Sequence, residues 1–334
     1  MLRYTADIRT LSFVATYYAL VALAIAYASP AFAAATGFAV PWWAMAGHVV
    51  VLCLLSFFCA VITHNTVHSP VFKSRPLNKL FQIVLTPTYG HPVSMYVPGH
   101  NLSHHKFTQT PKDRMRTDKL RFRWNLLNQL LFMPVVGGII FKDNAEFAKL
   151  MRTKNPAWYR QFLYELAYYV FFLVGTLAAF MLVGGWLDGL WKWVVFVVLP
   201  HQYAAWGIMG INFVQHDGTD PFHQYNHSRN FTGKVLNWFT FNNGFHGIHH
   251  EHPGLHWSLA PAAHEKEYVG KIDPRLDQKA LLPYLFKQFI FPGVRMRYDG
   301  TPVVLGPPRP DEPWVPTVAQ GLNTGEEADY GGTA

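Results

Sequence analysis

Four stretches of this chain contain no Asp, Glu, Lys or Arg, and each is long enough to cross a bilayer. They cover residues 11–35, 40–63, 166–187 and 193–215. A spanning helix needs about 20 mainly apolar residues. Inside hydrocarbon every backbone polar group must be bonded within the protein, which leaves a helix as the solution for such a run. The expected fold is therefore all-α: four transmembrane helices in two hairpins, with turns near Thr36–Pro41 and Trp186–Lys192.

The mean hydropathy of +0.07 conceals these runs, because polar segments dilute them. Charged residues make up 14% of the chain and apolar ones 50%, where a soluble domain carries about 25% charged residues. That excess of apolar and aromatic residues rules out a disordered chain. Two cysteines, Cys53 and Cys59, rule out a disulfide scaffold.

The net charge of +8 is read as a topology signal. Residues 64–160 carry 15 Lys and Arg against four acids, Asp113, Asp118, Asp143 and Glu146, while the two hairpin turns carry only Asp188 and Lys192. Basic connections stay in the cytoplasm. The expectation is an integral, multi-pass protein with both termini and the long connection on the cytoplasmic side. Position accounts for the basic residues, so no nucleic-acid partner is inferred. A basic face also suits anionic headgroups or an acidic redox partner. Arg3 and Arg9 before an apolar run, with Ala31-Phe32-Ala33 after it, resemble a signal peptide. However, residues 11–28 outrun the usual apolar core of about 7–15 residues, which favours a retained span.

One integral domain is expected over residues 1–305, with a helical cytoplasmic cap from residues 64–160 and 216–305. Residues 306–334, rich in Pro, Gly and acids, are expected to form a flexible tail. Residues 78–86 and 126–141 are apolar but short, or broken by Pro134 and Gly137-Gly138. They read as interfacial or re-entrant.

The 17 histidines are not scattered. His64 and His68 form HxxxH. His100, His104 and His105 form HxxxHH. His246, His249 and His250 form HxxHH, and His216 closes the fourth apolar run. On a helix, residues three or four apart share a face. His64 and His68 therefore point one way, as do His100 and His104 with His105 beside them, and as do the three histidines of the last box. Asn212 lies one turn before His216. Topology delivers all nine to the cytoplasmic level. Neutral imidazole suits Fe, Zn and Cu, and nine ligands are too many for one ion, so two ions are expected.

The other histidines have weaker claims. His48 and His201 lie about 24 Å and 22 Å along their helices from His64 and His216, at about 1.5 Å per residue. They are excluded as ligands, with packing favoured over a bis-histidine haem. His91 and His264 lack spacing support. His223, His227, His252 and His256 read as supporting or headgroup contacts.

The boxes His64–His68, His100–His104–His105 and His246–His249–His250, with His216 after Asn212, resemble the membrane fatty acid desaturase superfamily from about residue 41 to 260. Relatives with similar boxes include acyl desaturases, lipid, alkane and carotenoid hydroxylases, carotenoid ketolases and alkene-forming decarboxylases. The spacing of the second box is within the family's range. Gln215-His216-Asp217-Gly218 is similar to the corresponding segment of alkane hydroxylases.

The resemblance implies two non-haem iron ions that use O2 and two electrons to attack an unactivated C–H bond of a lipid or fatty acyl chain. Desaturation is expected, with hydroxylation or decarboxylation as the alternative. The metal carries this chemistry, so no further catalytic residue is expected. His252-Pro253-Gly254-Leu255 looks like a cytochrome b5 haem motif but lies within the third box, so a separate electron donor is expected: a ferredoxin, rubredoxin or cytochrome b5, with its reductase. Asn212 is a candidate to hold a metal-bound water. Asp217, Asn243 and Glu251 are candidates to orient ligands. Phe241, Phe245, Trp238 and Trp257 are candidates for an acyl tunnel or for ordinary packing. Lys106, Arg114 and Arg116 are candidates for a headgroup or simply follow the positive-inside rule.

Other classes fit less well. A zinc protease needs HExxH, and this chain has Asn65 in place of the Glu. A metal transporter, the remote alternative, would place its ligands near the bilayer midplane.

Overall fold

The computed structural model describes residues 1–315; residues 316–334 of the expected tail lie outside the described residues. The elements in order are α1 (Asp7–Ala28), α2 (Pro30–Thr36), α3 (Trp42–Thr66), α4 (Arg75–Tyr89), α5 (Asn125–Lys154), α6 (Pro156–Gly184), α7 (Trp186–Trp193), α8 (Leu199–His216), α9 (Lys234–Phe239), α10 (His246–Glu251), α11 (Ala260–Glu267) and α12 (Leu281–Leu285). Among the described residues the strands are two short segments, β1 (Asn230–Phe231) and β2 (Asp277–Gln278), paired in parallel. The chain divides into two compact units.

The first unit holds residues 1–63, 70–94 and 160–207. Helix α1 buries Val14, Tyr17, Val21, Ala24 and Ala28, a stripe at helical spacing. The residues facing outward are apolar too: Leu23, Val50, Val51, Val170, Phe171, Val174 and Leu182 are all exposed. A helix apolar all round suits lipid.

The sequence also accounts for the breaks. Ser29 leaves α1 in an extended conformation, its Oγ accepts from the Ala31 amide, and Pro30 starts α2. The expected turn at Trp186–Lys192 falls earlier, at Gly184-Gly185, and residues 186–193 are helical. Gly185 has φ +82°, a conformation that favours glycine. Within α7 the absence of a side chain at Gly189 allows close approach to the backbone of Phe180 and Met181.

Several buried polar groups in this unit are paired. Tyr17 Oη lies 2.7 Å from His201 Nε2, and Tyr27 Oη lies 2.6 Å from His48 Nδ1. Each of these two histidines is thus engaged by its own tyrosine, the packing role expected for both. Glu165 is enclosed and accepts from the Ser94 amide at 2.7 Å, the Ser94 hydroxyl at 2.9 Å and Gln161 at 2.9 Å. Gly90 ends α4 at φ +87°, and a Cβ there would lie 2.5 Å from the His201 Cβ.

The second unit holds residues 64–69, 95–159 and those from 208 onward. Here the structure corrects one expectation. Residues 126–141 are not broken but lie within the 30-residue helix α5, with Pro134 inside it. Proline removes one backbone hydrogen bond. Tertiary packing holds the helix through it: Phe132 and Val136 are fully buried against Phe213 and Phe289. Among the described residues five helical segments, rather than four, are therefore long and apolar enough to cross a membrane: Asp7–Ala28, Trp42–Thr66, Asn125–Lys154, Pro156–Gly184 and Trp186–His216. The short helix α4 is not among them.

The expected tail begins as an ordered strap. Residues 306–315 lie on the second unit, with Trp314 fully buried and its Nε1 donating to Asp143 at 2.6 Å.

Replacing Gly90 with alanine should combine left-handed backbone strain with overpacking against His201, costing about 2–4 kcal/mol. The check is a thermal unfolding curve of the detergent-solubilised protein, where G90A should melt clearly below wild type. An unchanged midpoint would refute the close approach.

Candidate metal centre

All nine histidines of the boxes belong to the second unit. His64 lies in the last turn of α3, and His68 follows on the turn where its amide bonds Asn65 O at 3.2 Å. His216 is the last residue of α8. His246, His249 and His250 lie on α10.

The middle box departs from the expected α-helix. Residues Pro98–His105 form a π-helix. In an α-helix, residue i+5 stands about 140° away from residue i. The i→i+5 bonding of a π-helix widens the turn to between four and five residues. His104 and His105 then flank His100 instead of one turning away. That places His105 Nε2 at 3.1 Å from His100 Nε2, while His104 Nε2 lies 3.1 Å from His216 Nε2.

The nine side chains form two groups. His64, His68, His100, His105 and His249 make one, and His104, His216, His246 and His250 make the other. Within each group one ligand atom per residue lies within 4.8 Å of all the rest. In the first, His64 Nε2 is 2.6 Å from His249 Nε2, and His249 Nε2 is 3.0 Å from His105 Nε2. In the second, His216 Nε2 is 2.9 Å from His246 Nε2 and 3.1 Å from His250 Nε2, which is 3.2 Å from His246 Nε2.

These distances fit a metal. Two ligands at right angles, each about 2.1 Å from an ion, sit about 3.0 Å apart. Three mutually facing Nε2 atoms cannot all be satisfied by hydrogen bonds to one another. His68 Nε2 is buried without any hydrogen-bond partner. The donor set is all imidazole, which suits iron, zinc or copper.

Electrostatics favour neutral imidazoles. Burial first, and then the neighbouring histidines, hold His68, His100, His105, His246, His249 and His250 well below the ordinary value of 6.5. Neutral imidazole is the form that ligates.

The surroundings hold the rings in place. Asp113 Oδ2 lies 3.0 Å from His104 Nδ1, and both side chains are fully buried. A carboxylate on the far nitrogen fixes the tautomer and ring plane of a ligating histidine. Asp113 itself accepts from the Gln109 amide at 2.8 Å and the Met115 amide at 2.7 Å. His216 Nδ1 faces the His227 carbonyl at 3.3 Å. The end of α8 is capped by Arg229, whose Nη1 donates to Val214 O at 2.9 Å and Asp217 O at 2.8 Å. Helix α10 is held at Gly247: its amide donates to Asn230 Oδ1 at 2.8 Å, and its carbonyl accepts from Tyr268 Oη at 3.0 Å. Phe241 and Asn242, before this helix, hold positive φ values of 49° and 60°. Bulky residues adopt this only where packing enforces it.

The supporting candidates separate. Asn212 is buried, with its Nδ2 unpartnered. Asn243 is buried, and its backbone carbonyl accepts from Gln215 Nε2 at 2.9 Å. Asp217 touches no histidine side chain of the groups and instead pairs with Arg295 (2.5 Å) and Asn125 (3.3 Å). Glu251 is exposed at the end of α10. Asp113, Asn230 and Tyr268 were not singled out from the sequence. Asp113 lies nine residues past His104, a separation that no helical spacing rule connects.

Of the remaining histidines, His227 bonds Ser228 Oγ at 2.8 Å and Tyr268 Oη at 3.0 Å, and burial with the charge of His223 pushes it down to about 4. His252 pairs with Glu267, and His264 with Asp277. His223 Nδ1 accepts from the Tyr225 and Asn226 amides. Among the tunnel candidates, Trp238 is half exposed, Phe245 packs on Ile248 and Tyr268, and Phe241 is buried edge-on to Trp257.

Compared with known proteins, the chain matches the family described as fatty acid desaturase over residues 41–279. It belongs to that family, whose members are membrane oxidoreductases that act on acyl chains. Nothing matches among curated proteins or among solved structures.

Two outcomes follow. Asp113→Asn should weaken metal binding at the four-histidine group by roughly 10–100-fold, read by metal content after equilibrium dialysis; full retention would exclude the carboxylate's role. The metal-free protein should also be acid-sensitive. Below pH 6.5 the unfolded chain takes up protons that these six buried imidazoles refuse until far lower pH. Stability is therefore full above that pH and falls as the pH drops below it. Thermal unfolding of metal-free protein against pH tests this, and a flat acid limb would contradict it.

Proposed function

We propose that this chain is a membrane di-iron oxidoreductase that uses O2 and two electrons to desaturate the acyl chain of a fatty acid or lipid. The observation that carries the reading is the convergence of nine histidines into groups of five and four, in a member of the fatty acid desaturase family. His64, His68, His100, His105 and His249 would hold one iron. His104, His216, His246 and His250 would hold the other.

When bound, the iron pair supplies an oxidant able to remove hydrogen from an unactivated C–H bond, which no side chain of this protein can do as acid, base or nucleophile. The chain's own residues do the rest. Their burial keeps the imidazoles neutral and available as ligands. Asp113 keeps His104 in one tautomer and orientation. The unpartnered amide nitrogen of Asn212 is suited to donate to a water beside the four-histidine group.

The same reading takes four crossings, with α5 not crossing because its uncharged part, residues 125–141, falls short of the roughly 20 residues a span needs; both termini and the iron site are then cytoplasmic, supported by 15 basic against four acidic residues in positions 64–160. It requires a separate donor of electrons: a ferredoxin, a rubredoxin or cytochrome b5, with its reductase. Hydroxylation is the second reading, favoured by Gln215-His216-Asp217-Gly218 and its likeness to alkane hydroxylases. The two outcomes differ only in whether a second hydrogen leaves or an oxygen is transferred.

Expression in a bacterial host, followed by mass spectrometry of total lipids, separates the readings, with His104→Ala as control. Loss of two hydrogens from an acyl species is the expected result. Gain of one oxygen would transfer the assignment to hydroxylation, and a shortened alkene to decarboxylation. Purified protein holding zinc without iron, together with an unaltered lipid profile, would defeat the proposal and leave a metal carrier as the better reading.

A further inference from the structure

The loop of residues 109–117 carries Asp113 and is tied from outside by a segment far along the chain. On one limb, Arg309 Nη2 donates to Gln109 O at 3.0 Å, and the Glu312 amide donates to Pro111 O at 3.0 Å. On the other limb, Arg114 Nη1 donates to Glu312 O at 3.0 Å, and Arg116 Nη2 donates to Arg309 O at 2.6 Å. Arg116 also pairs with Asp311, and Lys119 Nζ lies 3.0 Å from the same carboxylate. Arg309 and Arg116 share Asp118, at 2.8 Å and 2.9 Å. Beneath this lies Asp143, shared by Arg114 Nε at 2.5 Å and Trp314 Nε1 at 2.6 Å.

Arg114 and Arg116 are nearly buried, at 6% and 3% exposure. A buried guanidinium is costly unless its donors are met. Without this segment, Arg116 and Lys119 lose the carboxylate of Asp311, and all four of the backbone contacts above lose their acceptor or donor. Between the two limbs stands Asp113, itself held by amides of this loop, at Gln109 and Met115. Its Oδ2 bonds His104, one of the four-histidine group.

We propose that Arg309–Trp314 is a positioning strap for the four-histidine group: by clamping both limbs of the 109–117 loop it fixes Asp113 against His104. The five-histidine group receives no support from this loop through Asp113. Through Asp113 the strap therefore acts mainly on the four-histidine group, since the loop's other tie to the π-helix runs to Ser103 and not to a ligand. Its residues are positioning residues, and none touches a proposed ligand. This inference rests on the metal reading given above.

The test is the release of iron from purified full-length protein to a chelator, followed optically. Wild type should carry two irons per chain. Asp311→Asn and Trp314→Phe, which keeps the ring but removes the N–H to Asp143, should each speed the release of one iron severalfold and leave the other unchanged. The effect should stay below the roughly 10–100-fold loss that removal of an orienting carboxylate produces. His104→Ala should abolish the same phase, and Asp311→Asn added to His104→Ala should change nothing further, because the two act through one ligand. Arg275→Ala, which breaks an exposed ion pair of the same unit with Asp273, should leave both phases as in wild type. Acceleration of both irons alike in the strap variants would reduce the segment to a general structural role and overturn the proposal. So would unaltered release. If wild type binds no iron at all, the metal reading itself falls, and the strap's role falls with it.

Discussion

The second unit of this protein is organised around nine imidazoles brought together where water cannot reach most of them. Six of the nine have at most a few per cent of their surface exposed. In such a place a charged imidazolium is costly, and several nitrogen lone pairs directed at one another are unfavourable unless a cation lies between them. Each backbone feature nearby serves this arrangement: the π-helical turn at Pro98–His105, the left-handed pair Phe241–Asn242, and the capped end of α8 under His216. The cost of these local strains is offset by dense hydrogen bonding around them, seen at Asp113, Arg229, Asn230 and Tyr268.

Layers of support surround the ligands. The histidines form the inner layer. Asp113 and the His227 carbonyl touch the histidines directly. Asn230 and Tyr268 hold the peptide of Gly247 between two histidine-bearing turns, and a side chain at 247 would collide with the Tyr268 ring at 2.7 Å. Outside these lie the ion pairs of the 309–314 segment. A ligand held through several layers loses little entropy when a metal arrives, which is the physical content of preorganisation. The first unit has a different logic. Its helices show apolar surface inward and outward alike, and buried polar groups such as Tyr17 with His201 and Glu165 with Ser94 are joined in pairs.

The identity of the nine clustered histidines was legible in the sequence because helical spacing is local: residues three to five apart are forced near one another whatever the rest of the chain does. The four uncharged runs were legible for a similar reason, since length and lack of charge decide helix in hydrocarbon. Helix α5 was harder to read. Pro134 and Gly137-Gly138 argued for a break, and only the packing of Phe132 and Val136 on Phe213 and Phe289 carries the helix through. The role expected of Asp217 went instead to Asp113, because Arg295, 78 residues further along the chain, engages Asp217. The first ten residues of the expected tail are bound for the same kind of reason: their partners, Arg114, Arg116 and Asp143, are more than 160 residues away.

By itself, then, the sequence determined which nine histidines group into boxes and the helical, apolar character of the chain, both of which follow from local periodicity and composition. The tertiary structure decided the partition into five and four. His104 and His105 are adjacent, yet they serve different groups. The π-helical turn sets them on either side of His100, and only the elements bearing His216, His246 and His249 select which side each one joins. That choice depends on contacts between segments more than a hundred residues apart, which no local spacing encodes.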